Sequence, residues 1–211
     1  MLYSILLYAT LLMGCMPIVL FISGRKHKSI PSRSVVPLIS LMAFSSLYEC
    51  VVSLQLKVSV LWWYQIYSFL EFSALYYLFS HCIRQRPKAF FKVSLGLFLL
   101  FYVLSIFYFN TKSVFLSTSI NKTYITLFVL VCSFLWIREI SNEKQILKLY
   151  KEGLFYVIMG LFFYYSTTIS LFMLISCIDK DDLYIGDFWL VNVLANLILR
   201  ITLLLGIWRI N

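Results

Sequence analysis

The chain reads as an all-α integral membrane protein, a polytopic bundle of seven transmembrane helices forming a single domain over residues 1–211. Three observations predict this. Apolar residues make up 62% of the chain and charged residues 13%, whereas a soluble domain carries roughly 45–50% and about 25%. Seven apolar runs are each close to the ~20 residues a helix needs to cross a bilayer. Basic residues concentrate in alternate breaks between those runs. Too little polar surface remains to coat a water-soluble globule, which excludes a cytosolic enzyme, a secreted domain and a disordered chain. The runs are also about twice the ~10-residue alternating segments of a membrane β-barrel.

The first span is expected at 2–23. It lacks a basic leader and exceeds the apolar core of a signal peptide, so it should stay in the membrane. Pro17 removes a backbone donor within it and should kink it. A break rich in charge and turn formers, Gly24 to Ser32, precedes the second span at 35–56. The following break around Lys57 is short, so the second span and the third, at 60–82, should form a tight hairpin. Arg86-Pro87 stops the third span. The fourth and fifth, at 93–110 and 120–137, are separated by a break that Phe115 and Leu116 blur. The sixth is expected at 153–178 and the seventh at 188–208, with no internal repeat and no soluble domain at either end.

The net charge of +9 follows membrane topology rather than nucleic-acid binding. Arg25, Lys26, Lys28 and Arg33 share one break; Arg84, Arg86, Lys88 and Lys92 share another; Arg138, Lys144, Lys148 and Lys151 share a third. Lys57, Lys112, Lys122 and Lys180 fall in the remaining loops. Cytoplasmic loops carry the Lys/Arg excess, so the N-terminus is expected outside and the C-terminus, with Arg209, inside. The plasma membrane is the expected location. The Asp-rich break from Asp179 to Asp187 then lies outside, as a solvated loop or a cation or partner contact. Asn142-Glu143 reads as a helix start, with Lys144, Lys148 and Lys151 at i, i+4, i+7. That segment is either a solvated extension of the sixth span or an inner-face element for anionic headgroups or a protein partner.

Three ionisable residues are expected inside spans: Glu49, Glu71 and Arg200. An acid or base near the bilayer centre costs about 2.5–3.5 kcal/mol on insertion scales, and such residues usually face the interior and carry function. Glu71 and Arg200 count out to similar depths, roughly 17 Å from the outer ends at 1.5 Å per residue, and are expected to pair. Glu49 is then a surplus carboxylate, protonated or facing a cation or a water-filled vestibule. Asn192, Asn196 and Arg200 recur at i, i+4, i+8 on one face; Tyr64, Ser68 and Glu71 at i, i+4, i+7 on another. Ser45, Glu49 and Ser53 share a face of the second span, and Ser166 lies in a polar run of the sixth. These faces should converge on an interior polar site, the Ser and Thr residues serving mainly as packing glue.

No metal site is expected, because neither His27 nor His81 has a partner at ligand spacing, and no cofactor is implied. Cys15, Cys50, Cys82, Cys132 and Cys177 are scattered singly. Cys50 and Cys177 fall towards the same outer side, which leaves a disulfide between them open though nothing else supports it. Trp62, Trp63, Trp189 and Trp208 lie near span ends, where amphipathic rings anchor. No nucleophile–base pair, Gly-rich phosphate loop or H-E-x-x-H pattern occurs.

A retinal protein is not expected, because the seventh span has Arg200 and no lysine. Tyr67-Ser68-Phe69-Leu70-Glu71-Phe72, the run from Gly160 to Ser166, and Phe188-Trp189 with Asn192 and Asn196 carry another likeness. Through these the chain resembles small bacterial seven-helix membrane proteins that occur alone and as membrane input modules of sensor histidine kinases. The resemblance implies a free-standing version in the bacterial inner membrane that signals through a membrane or cytoplasmic protein partner. A non-enzymatic sensory or accessory subunit is the leading expectation. A small proton- or ion-linked transporter and an intramembrane lipid-modifying enzyme are the alternatives.

Overall fold

The computed structural model describes residues 2–24, 30–56, 61–83, 88–109, 114–142, 153–174 and 185–210. Among them it is an all-α bundle of seven helices. These are α1 (Leu2–Ser23), α2 (Ile30–Tyr48), α3 (Leu61–Cys82), α4 (Lys88–Phe107), α5 (Val114–Asn142), α6 (Gly153–Leu174) and α7 (Ile185–Ile210). Five of them, α1, α2, α4, α5 and α7, contain segments long and apolar enough to cross a membrane. The architecture is consistent with a multi-pass membrane protein.

Several boundaries differ from the expected spans, each for a local reason. α2 starts at Ile30 rather than 35 because Pro31 sits in its first turn, where a missing N–H leaves no bond unmade. α4 begins at Lys88, directly after Pro87, and so takes Lys88 and Lys92 onto its first turns, both exposed. α5 begins at Val114, six residues before the expected start, and runs on to Asn142. The expected helix start at Asn142-Glu143, with Lys144, Lys148 and Lys151, falls at the end of α5 and, from Glu143 on, outside the described residues. Lys57, Cys177 and the acidic run from Asp179 to Asp182 also lie outside them.

α2 does not end as an α-helix. Glu49–Gln55 continues it as a π-helix, and the Leu56 N–H donates to Val51 O at 3.0 Å, five residues back. π segments are rare, short and often found at functional sites. Glu49 is the first residue of this one.

Six helices close a ring: α1 packs on α2, α2 on α3, α3 on α5, α5 on α6, α6 on α7, and α7 back on α1. α4 stands outside the ring, packed mainly on α5. Its buried stripe is Phe91, Ser94, Phe98 and Ser105, while Val93, Leu97, Leu100, Leu104 and Phe107 are exposed. Serine inward and leucine outward inverts the pattern of a soluble helix. It suits a helix whose outer face meets lipid.

Lipid tails are as apolar as leucine, so helix association in a membrane relies on close packing and hydrogen bonds. The α6–α7 seam supplies the first. A Cβ on Gly160 would collide with Thr202, and one on Gly153 with the Gly206 carbonyl; Gly206 in turn faces Val157. The absence of side chains there lets the two backbones approach. Across α3, α4 and α5 the packing is aromatic: Phe72 stacks on Phe98 at 3.8 Å between centroids and meets Phe128 at 5.1 Å. Such pairs contribute about 0.5–1.5 kcal/mol each beyond area burial.

Candidate functional site: a charged cavity inside the ring

A cavity of about 180 Å³ lies within the ring. Its lining comes from α1 (Leu7, Thr10), α2 and its π extension (Tyr48, Glu49), α3 (Trp63, Tyr64, Tyr67, Glu71), α5 (Lys122), α6 (Tyr164, Tyr165) and α7 (Asn192, Asn196, Arg200). These positions fall in the N-terminal halves of α1, α3 and α5 and towards the C-terminal ends of α2 and α6, and on α7 they run from Asn192 to Arg200, just past its middle. The cavity therefore occupies the half of the bundle where α1 begins and reaches to its middle at Arg200. The other half is closed by fully buried apolar side chains such as Leu78, Phe79, Val129, Ile158, Leu203 and Ile207.

Glu71 is the most densely held group. Lys122 Nζ donates to its Oε2 at 2.5 Å and the Tyr165 hydroxyl donates to its Oε1 at 3.0 Å. The same Lys122 ammonium lies 4.9 Å from the centroid of the Tyr67 ring. Three helices, α3, α5 and α6, are thereby tied at one point. Charge-assisted bonds of this kind are roughly twice as strong as neutral ones, and removing either charge would strand the other in a poorly hydrated interior.

The expected Glu71–Arg200 ion pair is replaced by this one. Lys122 is not a loop residue: at 8% exposure it lies two turns inside α5. The early start of α5 at Val114 carries it there. Arg200 is engaged elsewhere, donating from Nη1 to the Thr10 carbonyl and from Nε to Asn196 Oδ1 at 3.1 Å. Gly14 makes this reach possible, since a Cβ there would lie 2.6 Å from Arg200 Nη1 and would overlap Ser46 Oγ. With Lys122 in the cavity, two cations face two carboxylates, so Glu49 is not the surplus charge that counting Arg200 alone implies.

The remaining expected site residues divide. Glu49, Asn192 and Asn196 line the cavity, and Tyr64 lines it while staying partly exposed. Ser68 is buried but turns its hydroxyl to the Tyr64 carbonyl at 2.9 Å. Ser166 does not reach the interior; it is exposed and bonds to the Phe163 carbonyl at 3.0 Å. The inward face of α6 is set by Tyr164, Tyr165 and Thr168, all buried, and Ser166 lies about 100° beyond Tyr165 at 3.6 residues per turn.

A second polar cluster ties α3, α4 and α5 together. Gln65 Nε2 donates to Ser105 Oγ at 2.6 Å, and Asn121 Nδ2 donates to the same Ser105 Oγ at 2.9 Å and to Gln65 Oε1 at 3.3 Å. Ser117 donates to the Ser105 carbonyl at 2.8 Å. Sequence reasoning missed both this cluster and Lys122. The available signal was the polar stripe Ser117, Asn121, Lys122 at helical spacing, hidden by a break drawn through it.

Among the described residues no group of three or more His, Cys, Asp or Glu side chains is placed to hold a metal ion. Fold and cavity together describe a multi-pass helical membrane bundle with a charged interior chamber. No protein-family model, curated protein or solved structure shows a match to the chain.

Proposed function

We propose that this protein is a non-enzymatic sensory or accessory subunit of a membrane, which changes state when its interior cavity is occupied and passes that change to a partner protein. In this reading all seven helices cross the bilayer with the N-terminus outside. The cavity then lies in the outer half, where an external solute or proton arrives. The proposed location is the bacterial inner membrane, in keeping with the resemblance to sensor-kinase input modules.

The observation that carries the reading is the position of Glu49, on the cavity wall and at the start of the π segment of α2. A ligand shifts an equilibrium only by binding two states unequally. A carboxylate at an α-to-π junction couples occupancy directly to helix geometry, because one residue's change in bonding register rotates everything beyond it. The other cavity acid favours the same reading over catalysis: both Glu71 oxygens are already engaged, by Lys122 and Tyr165. On the inner side Lys144, Lys148 and Lys151 are the proposed docking face.

The test is gentle extraction from the native membrane followed by mass spectrometry of co-purifying proteins, with wild type beside a charge-reversed variant at those three lysines. A stoichiometric partner that the folded variant loses supports the reading. Solute uptake by the purified protein alone in liposomes would replace it with the transporter.

A further inference from the structure

The cavity presents its charges in a particular order. Arg200 is anchored by two neutral oxygens, those of Thr10 and Asn196. A guanidinium has five N–H donors, so the rest of its fork is available to the chamber it lines. Glu49 lines the same chamber, and among the described residues no hydrogen bond or ion pair engages its carboxylate. The Asn192 Oδ1 acceptor is buried and has no hydrogen-bond partner among the described residues.

Position along the helices separates the two signs. Ser46 and Arg200 meet at Gly14, so they are level. Glu49 is three residues further along α2, about 4.5 Å along the helix axis. Asn192 is eight residues before Arg200 on α7, and because the guanidinium reaches back to Asn196, Asn192 lies about 6 Å beyond it along the axis in the same direction. The acceptors thus sit towards the end of the bundle where α1 and α7 begin, and the guanidinium lies deeper than they do. Tyr48 and Trp63, stacked at 4.3 Å and both lining the cavity, add aromatic surface towards that end. Aromatic faces attract cations, most strongly when desolvated.

Two opposite charges in one poorly hydrated chamber gain most by meeting directly. Here no ion pair joins them: Arg200 is held by the neutral oxygens of Thr10 and Asn196, and Glu49 shares the chamber with the Asn192 acceptor and the Tyr48 and Trp63 ring faces. A molecule carrying both charges a few ångströms apart satisfies each in turn without adding net charge to the interior. A lone anion or cation would unbalance the two-against-two charge count. The volume sets the size, since an apolar chamber of about 150 Å³ admits a benzene-sized molecule.

We propose that the cavity binds a small zwitterion of amino-acid size, with its carboxylate on Arg200 and its ammonium at Glu49 and Asn192. The assignment rests on the sensory reading for its purpose, but its chemistry can be tested separately. The full chain in lipid nanodiscs would be titrated with glycine, L-alanine, L-leucine and γ-aminobutyrate, and with acetate and methylammonium as single-charge halves. Isothermal calorimetry and the thermal midpoint would serve as readouts.

At least one zwitterion is expected to bind saturably and raise the midpoint, with each half binding at least about tenfold more weakly. Glu49→Gln and Asn192→Ala, in preparations that retain a cooperative melt, are each expected to weaken that zwitterion about tenfold or more. Arg200→Gln should abolish binding, and Arg200→Lys should restore part of it. The proposal is overturned if no zwitterion in the set binds, if acetate or methylammonium binds as tightly, or if Glu49→Gln and Asn192→Ala both bind as wild type does. Partner capture on the same preparations separates the two ideas. A lysine-dependent partner without zwitterion binding removes only the ligand, whereas zwitterion binding followed by uptake removes the sensory role.

Discussion

Lys122 on α5 and Glu71 on α3 form a buried ion pair, Nζ to Oε2 at 2.5 Å, with the Tyr165 hydroxyl closing the other carboxylate oxygen. Neither charge is near bulk water, so each depends on the other. Removing one partner of a buried pair commonly costs about 3–5 kcal/mol. Glu71→Gln and Lys122→Met should each destabilise the purified bundle by that order, and the double variant should cost less than the two combined. A double-mutant cycle followed by denaturant unfolding in mixed micelles measures it. The parallel cycle of Glu71→Gln with Arg200→Gln should show the weaker coupling, since those residues share a cavity and no bond.

Gly14 is where α1 yields to Arg200. Gly14→Ala places a methyl group against Ser46 Oγ and Arg200 Nη1. Overpacking of this kind costs typically about 1–3 kcal/mol, and here it should also loosen the bond to Thr10. Ser46→Gly in the same chain should recover part of the loss. Thermal melts of the three variants decide the matter, and an unchanged midpoint for Gly14→Ala would contradict the close approach of α1 and α7.

Two other glycines make a matched contrast. Gly96 on α4 has nothing within 4 Å of an added Cβ, whereas Gly160 on α6 meets Thr202 of α7. Gly96→Ala should leave stability unchanged or raise it by up to about 1 kcal/mol through helix propensity. Gly160→Leu should force α6 and α7 apart and lower the midpoint sharply. Equal effects from the two would mean that the α6–α7 seam is not close-packed.

Orientation is open to chemical labelling. In a cysteine-free chain, single cysteines at Lys57 and Lys112 should react with an impermeant maleimide added to intact cells. Cysteines at Ser29 and Lys88 should react only after the membrane is opened. Reaction at Ser29 in intact cells would reverse the proposed topology.

Much of the architecture was legible because membrane helices announce themselves by apolar length alone. The first span coincides with α1 at Leu2–Ser23, and the third differs from α3 by one residue. The failures share a cause. Hydropathy scores polar residues as though they faced water, so Lys122 reads as a loop residue and Ser117 to Ser119 as part of a break, which hides the helix from Val114 onward. Its partner was legible as Glu71, but pairing depends on which helices adjoin. The ring order, with α3 against α5 and α1 against α7, leaves no trace in a single hydropathy profile. Ser166 failed for a finer reason: in a run as uniformly polar as Ser166 to Thr168, helical periodicity does not say which residue faces in. The π segment had no sequence signal that distinguishes it from the α-helix it extends.

The contact between Arg200 and the Thr10 carbonyl spans 190 residues, and this has a consequence for how the protein is made. Chains emerge and fold from the N-terminus onward. In a bilayer-spanning bundle Glu49 and Glu71 thus emerge while the cations that balance them are still to be translated: Lys122 arrives two helices after Glu71, and Arg200 comes with α7. Until then the nascent bundle carries bare acids, at about 2.5–3.5 kcal/mol for each such residue on insertion scales. Synthesis interrupted before α7 would leave an assembly with its first helix unclasped and its acids only half balanced. α7 is the helix that meets α1 and closes the ring, so the first helix waits for its clasp on a residue encoded 190 positions later.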